Sequence, residues 1–241
     1  MINKIAAITR KELRSFFNSP IAYIVAGVFL SAMTVLYFLF NESGATRFAD
    51  LRMYFNFMPW VFILVIPAIT MRSWAEEKKA GTEEILFTLP FKEHELVLGK
   101  FAATFILFFL MLALTLVVPV SLSALGDFEW GQILGQYLGA LFLGAACITV
   151  GLFVSALTRN QIIAFLASAL LLFILVSVNY LNNLASLPPL IEGFINLLSF
   201  RFHYEILGKG LIETGDLMYF VIMSAFFLFL NMKMLVFKKW Q

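Results

Sequence analysis

The chain has 241 residues, 61% of them hydrophobic and 13% charged, with 28 phenylalanines and a mean hydropathy of +0.91. Soluble domains carry roughly 45–50% apolar and about 25% charged residues, so there is too little polar surface here to cover a water-facing globule. A net charge of +2 is no nucleic-acid footprint, and the single cysteine, Cys147, excludes an intrachain disulfide framework or a cysteine metal cluster.

The composition predicts an all-α polytopic membrane protein, with residues 1–241 forming a single transmembrane domain. Residues 1–19 open it as an amphipathic helix. Ile2, Ile5, Ala6, Leu13 and Phe16 share one arc of a helical wheel, and Lys4, Arg10, Lys11 and Arg14 lie largely opposite. That pattern suits a helix lying on a lipid surface with its cations among anionic headgroups. The first apolar run, Pro20–Phe40, is longer than a signal-peptide core and lacks a small-x-small cleavage site behind it, so it is expected to stay in place.

A spanning helix needs about 20 apolar residues. Six stretches are expected to cross: 20–40, 57–72, 97–122, 133–157, 162–182 and 217–236. Pro59, Pro67 and Pro119 fall within or at the ends of these runs, where neighbouring helices must satisfy the carbonyls that proline frees. Their middles contain no Asp, Glu, Lys, Arg or His, which disfavours an ion-coupled transporter. Lys100 and Lys233 lie near span ends, where their stems can snorkel.

Thirteen of the 17 basic residues fall on one side of this layout. The positive-inside rule puts that side, with both termini, in the cytoplasm. Trp60 and Trp130 then sit at outer ends and Trp74 and Trp240 at inner ends, the depth that indole rings prefer.

The largest cytoplasmic connection, 73–96, is the most informative. Gly81 is expected to break the helix arriving from the second span. Thr82 is a candidate N-cap with Glu83 and Glu84 in the first turn, and Pro90 stops the new helix at Leu89. On this short helix Ile85, Leu86 and Leu89 face one way while Glu83, Glu84 and Thr88 face the other. Two turns are marginal alone, so the helix packs on its own bundle or docks in a groove of a cytoplasmic partner.

In the fourth span Gly131, Gly135 and Gly139 recur every four residues, a face that admits another backbone closely. It serves either a subunit or gating interface or ordinary packing within the chain. Asn179 and Tyr180 end the fifth span, as interfacial residues or as the lining of an exit path. In the outer loop 183–216, Leu190–Phe200 is too short to span and too apolar for a free loop, which predicts a re-entrant or surface-lying helix. Arg201, His203 and Glu205 follow and read as solvated loop residues; two histidines in the whole chain argue against a metal centre.

No phosphate-binding loop, GxSxG elbow or HExxH pair is present. The chain is therefore not expected to be an enzyme, and any energy for transport must reach it from another chain through the 73–100 face.

Glu76-Glu77-Lys78, Gly81-Thr82, Glu84, Leu89-Pro90 and Gly99-Lys100, at this spacing after the second span, resemble the membrane subunits of type-2, exporter-type ABC transporters. The six-span layout, the leading interfacial helix and the long last outer loop match over essentially the whole chain. Within the family the chain is most similar to the permeases of the gliding-motility and nitrous oxide reductase maturation operons. The resemblance implies a coupling helix between spans two and three, with Glu76, Glu77, Lys78, Gly81, Thr82, Glu83, Glu84, Ile85, Leu86, Leu89 and Pro90 contacting an ATPase subunit. It implies two ATPase copies and a second permease subunit in a homo- or heterodimer, with ATP and magnesium in the partner and no cofactor in this chain. It also implies a bacterial inner membrane and export; the scarcity of polar residues to line a path suits a lipid-like or amphipathic substrate. The alternative it leaves open is a membrane anchor that passes ATPase-driven motion to a periplasmic partner without moving a solute.

Overall fold

The computed structural model describes residues 2–40, 51–83, 91–123, 130–184, 188–208 and 214–239. Among these residues every regular element is an α-helix: α1 Ile2–Asn18, α2 Pro20–Phe40, α3 Arg52–Thr70, α4 Arg72–Ala80, α5 Glu93–Leu114, α6 Val117–Leu122, α7 Trp130–Leu157, α8 Gln161–Ser177, α9 Tyr180–Leu184, α10 Pro189–Leu198, α11 Phe200–Gly208 and α12 Thr214–Lys239. Five stretches are long and apolar enough to cross a membrane: Pro20–Phe40, Arg52–Ala80, Glu93–Leu122, Trp130–Leu157 and Thr214–Phe237.

The expected span over 162–182 is divided. α8 has 17 residues and stops at Ser177. Leu181 then bonds Val178 at 3.1 Å and Asn182 bonds Asn179 at 3.2 Å. These three-residue spacings tighten the chain into a turn before α9.

α3 and α7 form the enclosed centre, with α2 and α12 on the outside. Lipid is as apolar as leucine, so what holds such helices together is close packing rather than burial from water. Phe62 of α3 meets Phe108 of α5 edge-on at 5.1 Å and lies 6.1 Å from Phe29 of α2. Glycines on α7 make room for this. A Cβ at Gly144 would strike the Phe108 ring, and one at Gly151 would strike Thr70.

Proline shapes two of these helices. Pro119 cannot donate to Thr115, and Val118 takes that carbonyl instead at 3.1 Å, breaking α5 from α6. In α3, Pro59 leaves the Phe55 carbonyl without its helical donor. The hydroxyl of Tyr204, from α11, fills the vacancy at 3.1 Å.

Candidate functional site

At one end of the bundle α1, α4, α5 and the last turn of α7 converge. α4 continues the line of α3 past Met71, but the join is modified from outside. Ser155 of α7 accepts the backbone N–H groups of Trp74 and Ala75, both at 3.2 Å, and donates to the Met71 carbonyl at 3.0 Å. A side chain inserted among a helix's own hydrogen bonds bends the helix there and ties it to its donor. Lys78 extends the same tie, reaching the Ala156 carbonyl while 7% exposed.

Around this corner runs a charge network. The Lys100 ammonium, on a residue 2% exposed, lies 2.9 Å from Glu77, 3.1 Å from Glu12 and 2.7 Å from the Ser73 carbonyl. It also stands 4.7 Å above the Trp74 ring. Lys11 closes the network on α1, 3.2 Å from Glu77 and 3.4 Å from Glu12. Burial works against the Lys11 ammonium, but Glu77 and Glu12 outweigh it and hold its pKa above the ordinary lysine value. Arg72 grips Glu76 at 2.7 Å and Ser19, between α1 and α2, at 2.6 Å.

Sequence reading assigned Lys100 to snorkelling. The structure instead makes it the hub joining three helices, since a buried ammonium needs several acceptors to offset its desolvation. Glycine lets α1 come this close. A Cβ on Gly99 would lie 2.6 Å from Ile8 of α1, and Thr9 donates to the Gly99 carbonyl at 3.2 Å.

The chain leaves α4 at Gly81, whose φ of 71° is left-handed, as a helix-ending glycine requires. Thr82 donates back to the Glu77 carbonyl at 3.3 Å. Of the expected short helix, Glu84, Ile85, Leu86, Leu89 and Pro90 lie outside the described residues, which end at Glu83 and resume at Phe91. Of the upstream residues expected at a partner, Glu76, Glu77 and Lys78 all bond within their own chain. They fix α4 just before the chain leaves it at Gly81. Beside them a cavity of about 300 Å³ is lined by residues including Lys11, Glu12, Arg72, Glu77 and Thr82.

The opposite end holds the remaining candidates. Gly135 and Gly139 face α11: a Cβ on Gly139 would sit 3.2 Å from Leu207 and 3.5 Å from Tyr204. Gly131 has open space. Two of the three glycines thus pack a helix of the same chain. Asn179 accepts from Asn182 at 3.1 Å, and Asn182 also donates to Asn196 of α10 at 2.9 Å. Tyr180 lies 4.6 Å from the Arg201 guanidinium. Asn182 thus joins α9 to α10, and Tyr180 joins α9 to α11.

Arg201, His203 and Glu205, expected in a solvated loop, stand on α11. Arg201 pairs with Glu205, and His203 meets Asp216 of α12 at 2.6 Å while stacking on Tyr219 at 3.7 Å. Between α3, α7 and α11 opens a cavity of about 390 Å³, lined by Arg52, Phe55, Asn56, Gln132, Gln136, Tyr204 and Glu205. Sequence reading missed it. Its signal was the polar spacing Arg52–Asn56 and Gln132–Gln136, each one helical turn apart.

The family model described as ABC-2 family transporter protein matches residues 45–204, about two thirds of the chain. The chain belongs to the ABC-2 transporter family. Among curated proteins none matches it. An ABC-2 membrane domain is the permease component of an ABC transporter and associates with an ABC ATPase. The matched stretch contains Ser155, Glu77 and Lys100, whereas Lys11 and Glu12 of α1 precede it.

Proposed function

We propose that this ABC-2 permease crosses the inner membrane six times, counting the α8–α9 stretch, with both termini and the Lys100 joint in the cytoplasm. Residues 82–90 form the coupling helix and dock on an ATPase subunit that holds ATP and magnesium. Two such permease chains, identical or not, and two ATPases make the working exporter. The subgroup is that of the gliding-motility and nitrous oxide reductase maturation permeases.

One observation supports the coupling reading: α4, which the chain leaves at Gly81, is fixed to three helices at once. Through Glu77, Lys100 and Glu12 it is tied to α5 and α1, and through Ser155 and Lys78 to α7. A push delivered at 82–90 would otherwise dissipate in a free loop; here it is delivered to α3, α5 and α7 together. ATP-driven closure then shifts the bundle between two states, which do work only if they hold substrate differently.

The polar side chains in the middle of the bundle support an amphipathic or lipid-like substrate. Thr70, Thr104, Thr149 and Ser168 are buried and bond carbonyls of their own helices, leaving apolar faces. The same observation favours the second reading, an anchor that passes ATPase motion to a periplasmic machine without a solute path.

Copurification tests the proposal. An ATPase subunit is expected to accompany the wild-type protein from native membranes and to be lost from a Glu84→Arg, Leu89→Asp variant of unchanged size-exclusion behaviour. If no ATPase accompanies the wild type in several mild detergents, the coupling reading fails.

A further inference from the structure

The two faces of α1 differ in what they meet. The inner face builds the Lys100 joint: Ile8 is buried, Thr9 donates to the Gly99 carbonyl at 3.2 Å, and Glu12 lies 3.1 Å from the Lys100 ammonium. Ile5 and Phe16, expected from the sequence to face lipid, are half-buried on that same side, Phe16 against the core of the bundle.

Arg10, Arg14 and Phe17 follow one another at spacings of four and three residues, which puts them together on the opposite side, and all three are exposed. Lys4 pairs with Glu95, and Lys11 with Glu12 and Glu77, but among the described residues no ion pair involves Arg10 or Arg14. Two like charges one turn apart repel, and an anion seated between them replaces that repulsion with attraction. The face also stands at the edge of the membrane. α1 ends at Asn18, the first spanning stretch begins at Pro20, and Arg72 holds the corner between them by donating to Ser19 at 2.6 Å. At about 1.5 Å per residue, Arg14 and Arg10 lie about 6 and 12 Å along the helix from its end. The field of an anionic leaflet acts over roughly 8–10 Å, and an arginine side chain extends well beyond its Cα.

We infer that Arg10 and Arg14 bind the headgroup phosphate of anionic phospholipids, with Phe17 at the acyl boundary, and that this contact braces the Lys100 joint through Thr9 and Glu12 on the other face of the same helix. A guanidinium offers a planar fork of N–H donors that matches a phosphate with two parallel bonds. A zwitterionic headgroup carries its own cation, which competes with the arginines, so the pair selects lipids of net negative charge. Phe17, two residues before the corner at Ser19, favours lipid over an acidic protein surface, since a basic face with an aromatic residue at the membrane end suits the interface. The inference goes beyond the coupling reading and survives its failure, because no ATPase takes part in the binding.

The test uses the full-length protein in phosphatidylcholine nanodiscs and two photoreactive probes with a diazirine at the same acyl position, one a phosphatidylglycerol and one a phosphatidylcholine. Phosphatidylglycerol is expected to label peptides from residues 2–18 severalfold more than phosphatidylcholine does, and to lose that preference in about 1 M salt. Arg10→Gln and Arg14→Gln are each expected to cut the preference about fivefold. Both positions are exposed, so these variants are expected to fold. A double Arg10→Lys, Arg14→Lys variant keeps the charge and is expected to keep most of the preference. Adding phosphatidylglycerol to the nanodisc is expected to raise the melting temperature of the wild type but not of the double glutamine variant. Equal labelling by the two probes, a preference that survives the double glutamine substitution, equal losses in the lysine and glutamine variants, or the same melting shift in wild type and double glutamine variant overturns the inference. Loss of a copurifying ATPase from the glutamine variant with lipid labelling unchanged overturns it too, and assigns the two arginines to a protein partner.

Discussion

Tyr204 donates its hydroxyl, at 3.1 Å, to the carbonyl of Phe55, the one that Pro59 deprives of a helical partner four residues on. An unpaired carbonyl in a buried setting costs about 1–3 kcal/mol. Tyr204→Phe is therefore expected to lower stability by about 2 kcal/mol, measured by thermal unfolding in detergent. In a Pro59→Ala background the restored N–H supplies the missing donor, so the same substitution is expected to cost well under half as much. Equal losses in the two backgrounds would show that the carbonyl is not what Tyr204 serves.

Lys100 yields a second expectation. Lys100→Met removes the buried cation between Glu12 and Glu77 and leaves them only the more exposed Lys11, and breaking a buried pair in this way costs about 3 kcal/mol. Glu77→Gln in the Lys100→Met protein relieves part of the repulsion between the two carboxylates, so the double variant is expected to be more stable than the sum of the single losses. Thermal unfolding of the four proteins closes the cycle. Additive losses would mean that the two side chains do not interact.

Much of this fold could be read from the sequence, because membrane spans declare themselves by length and apolarity. The helix at Pro20 begins where expected, and the left-handed Gly81 ends α4 at the expected break. A glycine at the end of a charged helix has few other uses. The joint was harder to see. Lys100 sits at the edge of an apolar run, where snorkelling and burial look alike; only the approach of Glu12, 88 residues earlier, decides between them. Ser155 gave no signal at all, since a serine near a span end has no periodicity to betray its partner. The break at Ser177 was hidden for the opposite reason: Val178 through Leu184 carries residues that suit an interface as well as a helix.

The glycines of α7 separate by what they face. Gly144→Ala and Gly151→Ala would drive a methyl into Phe108 and Thr70, and overpacking of this kind costs about 1–3 kcal/mol. Gly131→Ala meets nothing within 4 Å and is expected to be neutral or slightly stabilising. The three melting temperatures should therefore fall into two groups. A loss at Gly131 comparable to the others would place an unseen neighbour, such as a second subunit, against that face.

Gly81→Ala forces an alanine into a left-handed conformation at a cost of roughly 1–2 kcal/mol. That strain falls at the exit from α4, so the ATPase rate of the reconstituted complex is expected to drop severalfold with little change in bundle stability. Gly81→Asn, which tolerates the conformation better, should retain more of the rate. Full activity in Gly81→Ala would mean that the turn geometry is irrelevant to coupling.

The coupling account is tested most directly by contact. A photoreactive amino acid placed at Leu86, and as a control at exposed Leu197 near the far end, reports which surface touches the ATPase in native membranes. The account predicts an ATPase cross-link from position 86 and none from 197. Cross-links from neither position, or from 197 alone, would contradict it.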